Sequence, residues 1–207
     1  MTEQNTENVS HLLKGRLEAL SDGIFAFAMT LLVIGLGLPE KTSLIPSDYY
    51  ALHVLVSLGS AFLNYVLAFL ILGVFWLSQR TLFYSIRAHD TIFTWINLVM
   101  LMFVALLPFS TSYSGDFSTI PIGPMVFEAN LFAIGVCICF LWWYASHDYR
   151  LIESTLRPEY IRKVSLQNLV VPGISIACII FALEGSIWSL SLYLMIPIVI
   201  YIIGRFA

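Results

Sequence analysis

The feature that most constrains this chain is a series of long stretches without Asp, Glu, Lys or Arg. They run over residues 23–39, 49–79, 91–115, 117–127, 129–146, 164–183 and 185–204. A helix needs about 20 apolar residues to cross a ~30 Å hydrocarbon core. The first stretch reaches that length only if residues 16–22, at its head, belong to the same helix. The second is long enough for one tilted span and too short for two spans with a turn. Within 117–127, Pro121, Gly123 and Pro124 mark a loop, and the next helix is expected near Met125. The reading is an all-α membrane protein with six transmembrane helices in a single domain over residues 1–207. The spans are placed at about 16–38, 50–79, 91–113, 125–146, 163–183 and 186–204. The first is expected to be a retained span, because the leading residues are polar and no small-residue cleavage site follows them.

Composition supports this. Apolar residues make up 59% of the chain and charged residues 11%, against roughly 25% charged in soluble domains. The mean hydropathy is +0.87. A net charge of −3 leaves no basic footprint for a nucleic-acid backbone. Orientation follows from the ten Lys and Arg residues. Lys14, Arg16, Arg80, Arg87, Arg150, Arg157, Arg162, Lys163 and Arg205 fall at the termini or in the second and fourth loops, and only Lys41 falls in an odd-numbered loop. Positive residues favour the cytoplasm, so both termini are expected inside.

Catalytic and metal chemistry find little support. Cys137, Cys139 and Cys178 lie within spans and read as packing residues. His11, His53, His89 and His147 have no zinc-site spacing. There is no nucleophile elbow, phosphate-binding loop or dinucleotide motif. No enzyme activity, metal or cofactor is expected.

Helix 1 is the unusual segment. Arg16, Glu18 and Asp22 crowd its first two turns, and charged groups near a bilayer pair, snorkel or line water. Glu18 and Asp22 share a face at i, i+4, whereas Arg16 points elsewhere and is expected to reach a neighbouring helix. Beyond Gly23, Phe27, Leu31, Ile34 and Leu38 recur on one helical face, and Ala26, Thr30, Val33 and Gly37 form a smaller face suited to close packing. Spacing alone leaves open whether the large face meets lipid, the bundle or a pore.

The run Arg16-x-x-x-Leu20-Ser21-Asp22-Gly23 resembles the R-x-x-x-F-S-D-G signature of the endosomal and lysosomal potassium channels, in their short prokaryotic branch. Gly73-Val74-Phe75-Trp76 is similar to that family's second-helix stretch, and Asn97-Leu98 and Leu107-Pro108-Phe109-Ser110-Thr111 to its third helix. The resemblance implies a homotetramer in the bilayer, with helix 1 of each subunit lining a central pore for potassium and other monovalent cations. It implies a constriction at Leu31 flanked by Phe27 and Ile34, with Leu38 beyond. It implies an inter-helix network from Arg16, Ser21, Asp22, Gly23 and Trp76. The family lacks the T-V-G-Y-G filter, as does this chain. Departures are Leu20 for the aromatic, Gln79 and Arg80 where the family often has two His, and Ile34 where many members have Thr. The expected location is the plasma membrane of a prokaryote.

The remaining helices read as scaffold. Ser57, Ser60, Ala61, Asn64 and Ala68 put small and polar residues on one face of helix 2. Pro108, Pro172 and Pro197 can kink later helices. Glu128 and Glu184 read as solvated charges near outer helix ends. The competing function is a proton- or ion-coupled secondary transporter, which would want ionisable groups near the bilayer midplane.

Overall fold

In the computed structural model the described residues are 3–37, 48–183, 192–193 and 195–206, and their regular elements are helices joined by short connectors. The helices are α1 (Glu3–Leu32), α2 (Asp48–Ser57), α3 (Gly59–Ser85), α4 (Thr91–Asp116), α5 (Ile122–Ser146), α6 (Pro158–Asn168), α7 (Val170–Leu183) and α8 (Ile196–Phe206). Five helical segments are long and apolar enough to cross a membrane: Leu12–Gly35, Gly59–Ser85, Thr91–Asp116, Ile122–Tyr149 and Pro158–Leu183. The sixth expected span, 186–204, lies partly outside the described residues.

Several bounds differ from the sequence reading, each for a local reason. The stretch expected as one helix over 50–79 is interrupted at Leu58, and α3 then continues to Ser85. It passes Arg80 because that guanidinium lies over the Trp76 ring, 5.8 Å from its centroid, while the Thr81 hydroxyl donates back to the Leu77 carbonyl. Helix α5 starts at Ile122 rather than near Met125. Pro124 sits in its first turn, where a missing N–H costs no helical hydrogen bond.

That early start changes the reading of Glu128. It is fully buried, not a solvated helix-end charge. It lies nearly two turns inside α5, near Cys178 of α7 and Tyr193.

Helices α4 and α5 form the most extensive pair, α5 packs on α7, and α1 packs on α4 and α3. Gly135 sets the α5–α7 approach, since a Cβ there would come within 2.7 Å of the Pro172 ring. Pro172 cannot donate to the carbonyl of Asn168, four residues earlier. The thiol of Cys139 donates to that carbonyl instead, at 3.3 Å. Helix α4 is continuous through Pro108 and capped by Asp90, whose carboxylate accepts from the Phe93 N–H at 2.8 Å.

Candidate functional site: the first helix and its buried polar anchor

Helix α1 has one face committed to its own subunit. Leu17, Ser21, Phe25, Ala28 and Leu32 are buried there, at the i, i+4, i+8, i+11, i+15 spacing of a single helical stripe. The opposite side carries Arg16, Leu20, Phe27 and Ile34, all exposed, with Leu31 half-buried at its margin. Phe27 is 65% exposed and Ile34 71%. Leu38 lies outside the described residues. The small residues Ala26, Thr30 and Val33 are exposed as well, so their face is not packed within this subunit. The Thr30 hydroxyl donates to the Phe27 carbonyl at 2.7 Å.

Two polar links tie α1 to its neighbours. The Trp76 indole N–H donates to Asp22 Oδ1 at 2.8 Å, across from α3. A second chain is wholly buried. Gln79 Nε2 donates to Asn97 Oδ1 at 2.8 Å, Asn97 Nδ2 donates to Ser21 Oγ at 3.1 Å, and Ser21 Oγ donates to the Leu17 carbonyl at 2.9 Å. Asn97 is the junction, joining α3, α4 and α1 with no exposed surface. Side-chain amides buried among apolar helices need such partners, because an unmet polar group in hydrocarbon is costly.

Of the expected network, Ser21, Asp22 and Trp76 are therefore brought together with their neighbours. Gly23 is exposed, with open space where a Cβ would stand. Arg16 makes no hydrogen bond or ion pair among the described residues, so the expected neighbour-helix contact is not made within the subunit. Gln79 fills the second-helix position with a neutral amide, and Arg80 turns to the Trp76 face. The sequence reading did not assign Asn97 a role in this network. Its signal was an amide inside a charge-free stretch.

The loops that follow α3 and α5 meet beside the Lys14 turn of α1. Lys14 Nζ donates to the Ile86 carbonyl at 2.6 Å. Ile86 pairs with Ile152, and the Arg87 N–H donates to the Leu151 carbonyl at 2.9 Å. Asp90 accepts from the Tyr144 hydroxyl, and the Arg150 guanidinium lies 4.8 Å from the Tyr144 ring centroid. Burial alone would raise the Asp90 carboxyl. Hydrogen bonds from Tyr144 and the Phe93 N–H, with the charge of Arg150, outweigh it and hold the group below the usual carboxylate value. Among the described residues no three His, Cys, Asp or Glu side chains cluster as a metal site.

A family model described as the endosomal/lysosomal potassium channel TMEM175 matches residues 16–108, the segment that holds both polar links. Over that segment the chain is similar to the TMEM175 channels. A potassium channel of Chamaesiphon minutus is 28% identical over 84% of this chain and 86% of its own length. The human endosomal/lysosomal proton channel TMEM175 is 26% identical over 89% of this chain but only 37% of its own. The fold of a TMEM175 homologue from Chamaesiphon minutus, described as a lysosomal potassium-selective channel, superposes with a TM-score of 0.78 at 24% identity, covering 93% of this chain and 98% of that one. With five helices of spanning length among the described residues and this likeness to TMEM175, the chain is a helical, multi-pass membrane protein.

Proposed function

We propose that this protein is a potassium-permeable cation channel, assembled as a homotetramer with α1 of each subunit around a central pore. The observation that carries this is the two-faced α1. Its inner face is locked to α3 and α4 by buried amides and hydroxyls, while Phe27 and Ile34 on the other side contact little of their own subunit. A single such helix cannot enclose a conduit, and four can. Kinship with proteins named as potassium channels supports the choice of ion.

In this reading Leu31 forms the narrowest ring, with Phe27 one turn toward the cytoplasm and Ile34 one turn outward. A leucine ring offers no oxygen to replace an ion's hydration shell, so narrowing it stops conduction. The termini are cytoplasmic, and the membrane is the plasma membrane of a prokaryote.

The test is a planar-bilayer recording of the purified protein under opposed potassium and sodium gradients. Current is expected with no coupling ion present, which also separates a channel from a coupled transporter. Leu31→Ala should raise basal conductance severalfold. A Leu31→Ala protein that assembles and conducts like the parent would move the constriction off this residue. A monomeric or dimeric mass reproduced across mild detergents would remove the tetramer.

A further inference from the structure

A cavity of about 750 Å³ opens between the end of α1, the start of α3 and the end of α4. We propose that it is a binding site for a small amphiphilic ammonium ion. Its size is within the roughly 300–1,000 Å³ of small-molecule sites. One wall is apolar, from Leu32, Leu58 and Ala61, with the Tyr65 ring beside them. The other is polar, from Asn64 and Ser112, and Asp116 stands at the margin. An inorganic ion has no use for the apolar half, whereas an organic cation with a compact hydrocarbon body matches both.

The sign of the charge follows from the helix ends. Asp116 is the last residue of α4, so its carboxylate and the negative end of that helix act together. Helix α5 begins at the same cavity, but its start is poor in donors. Pro121 and Pro124 have no N–H, and the Gly123 N–H is already taken by the Ile120 carbonyl at 3.1 Å. No Lys, Arg or His lines the cavity among the described residues. Among the described residues the lining offers hydroxyl and amide groups but no cationic side chain to balance an anion's charge.

A second observation points the same way. A much smaller cavity shares Asn64 and Thr111 with the large one and reaches Ser114. Ser114 is 3% exposed, and its hydroxyl has no hydrogen-bond partner among the described residues. A buried hydroxyl facing such a space calls for a bound water or a ligand donor. Asn64 and Thr111 join the two spaces, and a water in the smaller one can meet the Ser114 hydroxyl.

The site adjoins α1. A Cβ on Gly35 would collide with Ser112 Oγ, so the 3₁₀ turn that follows α1, Val33–Gly35, rests directly on the cavity wall. Occupancy should therefore alter conduction; that consequence rests on the channel reading, while the binding does not.

The probe is cyclohexylammonium, with cyclohexanol as the neutral control, added to the full-length protein in detergent and followed by ligand-observed NMR and calorimetry. Saturable binding of the ammonium and none of the alcohol is expected. Asp116→Asn should weaken it about three- to fivefold, the size of an exposed ion pair. Asp116→Glu should restore it, and Ala61→Trp, which partly fills the cavity from its apolar wall, should weaken it further. Should Ala61→Trp fail to assemble, Asn64→Leu takes its place. Equal binding of alcohol and ammonium, or binding unchanged in Asp116→Asn and the filling variant, overturns the site. Binding without any effect on a measurable current upholds the site and overturns its coupling to α1.

Discussion

Removing the buried junction at Asn97 should loosen α1 by an amount the structure sets. Asn97→Leu nearly conserves volume and removes two interhelical hydrogen bonds, one from Gln79 and one to Ser21. Inside a membrane such bonds average about 0.6 kcal/mol each and reach about 1.7. Ser21 keeps its bond to the Leu17 carbonyl, so it is not orphaned. Gln79 is: it is 2% exposed, its Oε1 already lacks a partner among the described residues, and its Nε2 would lose the one it has. An orphaned buried amide adds about 1–3 kcal/mol. The total is about 2–4 kcal/mol. The same reasoning makes Gln79→Leu in the Asn97→Leu background neutral or stabilising, because replacing both partners removes the unmet group. Reversible unfolding in mixed micelles, followed by tryptophan fluorescence, gives the double-mutant cycle. A coupling energy of at least about 0.6 kcal/mol is expected. Additive single substitutions, or an Asn97→Leu cost below about 0.5 kcal/mol, would refute the claim that this chain of amides anchors α1.

Three further outcomes are expected. Gly35→Ala should destabilise the 3₁₀ turn that follows α1 by about 1 kcal/mol, the low end of overpacking costs, because the obstacle is a side-chain hydroxyl that can rotate; Ser112→Ala, which removes that hydroxyl and keeps α4 helical, should rescue it, and no rescue in thermal unfolding would deny the contact. Ile34→Thr should raise the potassium-over-sodium permeability ratio by placing a ring of hydroxyls one turn beyond Leu31; a bi-ionic reversal potential that stays put or falls would mean that Ile34 does not face the pore. Asp90 has a carboxyl held below its unfolded value, so its contribution is present above the unfolded pKa and is lost as pH falls through the folded one. Asp90→Asn should therefore lower stability at neutral pH and flatten the acid limb of a pH–stability profile, and an unchanged limb would place that titration elsewhere.

The spans were legible because a charge-free stretch of bilayer length leaves few alternatives, and five of the helical segments fall where such stretches lie. The break at Leu58 was not legible, since Ser57 and Gly59 are weak signals inside an apolar context. Glu128 was misread for a related reason. Its depth depends on where α5 begins, and the prolines that suggested a loop are tolerated in a first helical turn. The polar anchor was half legible. Ser21, Asp22 and Trp76 stand out as motif residues, but Gln79 and Asn97 meet only after folding, and Ser21 lies 76 residues from Asn97. Periodicity picks out Phe27, Leu31 and Ile34 as one face, yet it carries no information on whether a second subunit, lipid or water covers it.

The interruption between α6 and α7 bears on how the chain enters a bilayer at all. The Pro158–Leu183 segment reaches spanning length only as α6 and α7 taken together, across the break at Leu169. Its α6 part carries Arg162, Lys163 and Gln167, which weaken it for independent insertion. What makes the segment acceptable is α5. Its Trp142 donates to Ser165 Oγ at 2.9 Å, its Cys139 covers the carbonyl bared by Pro172, and its Gly135 lets the two helices touch. This hairpin should accordingly integrate as a pair, with α5 waiting for its partner. A bulky substitution at Gly135 would then appear in the cell as missing protein rather than as a channel with altered current.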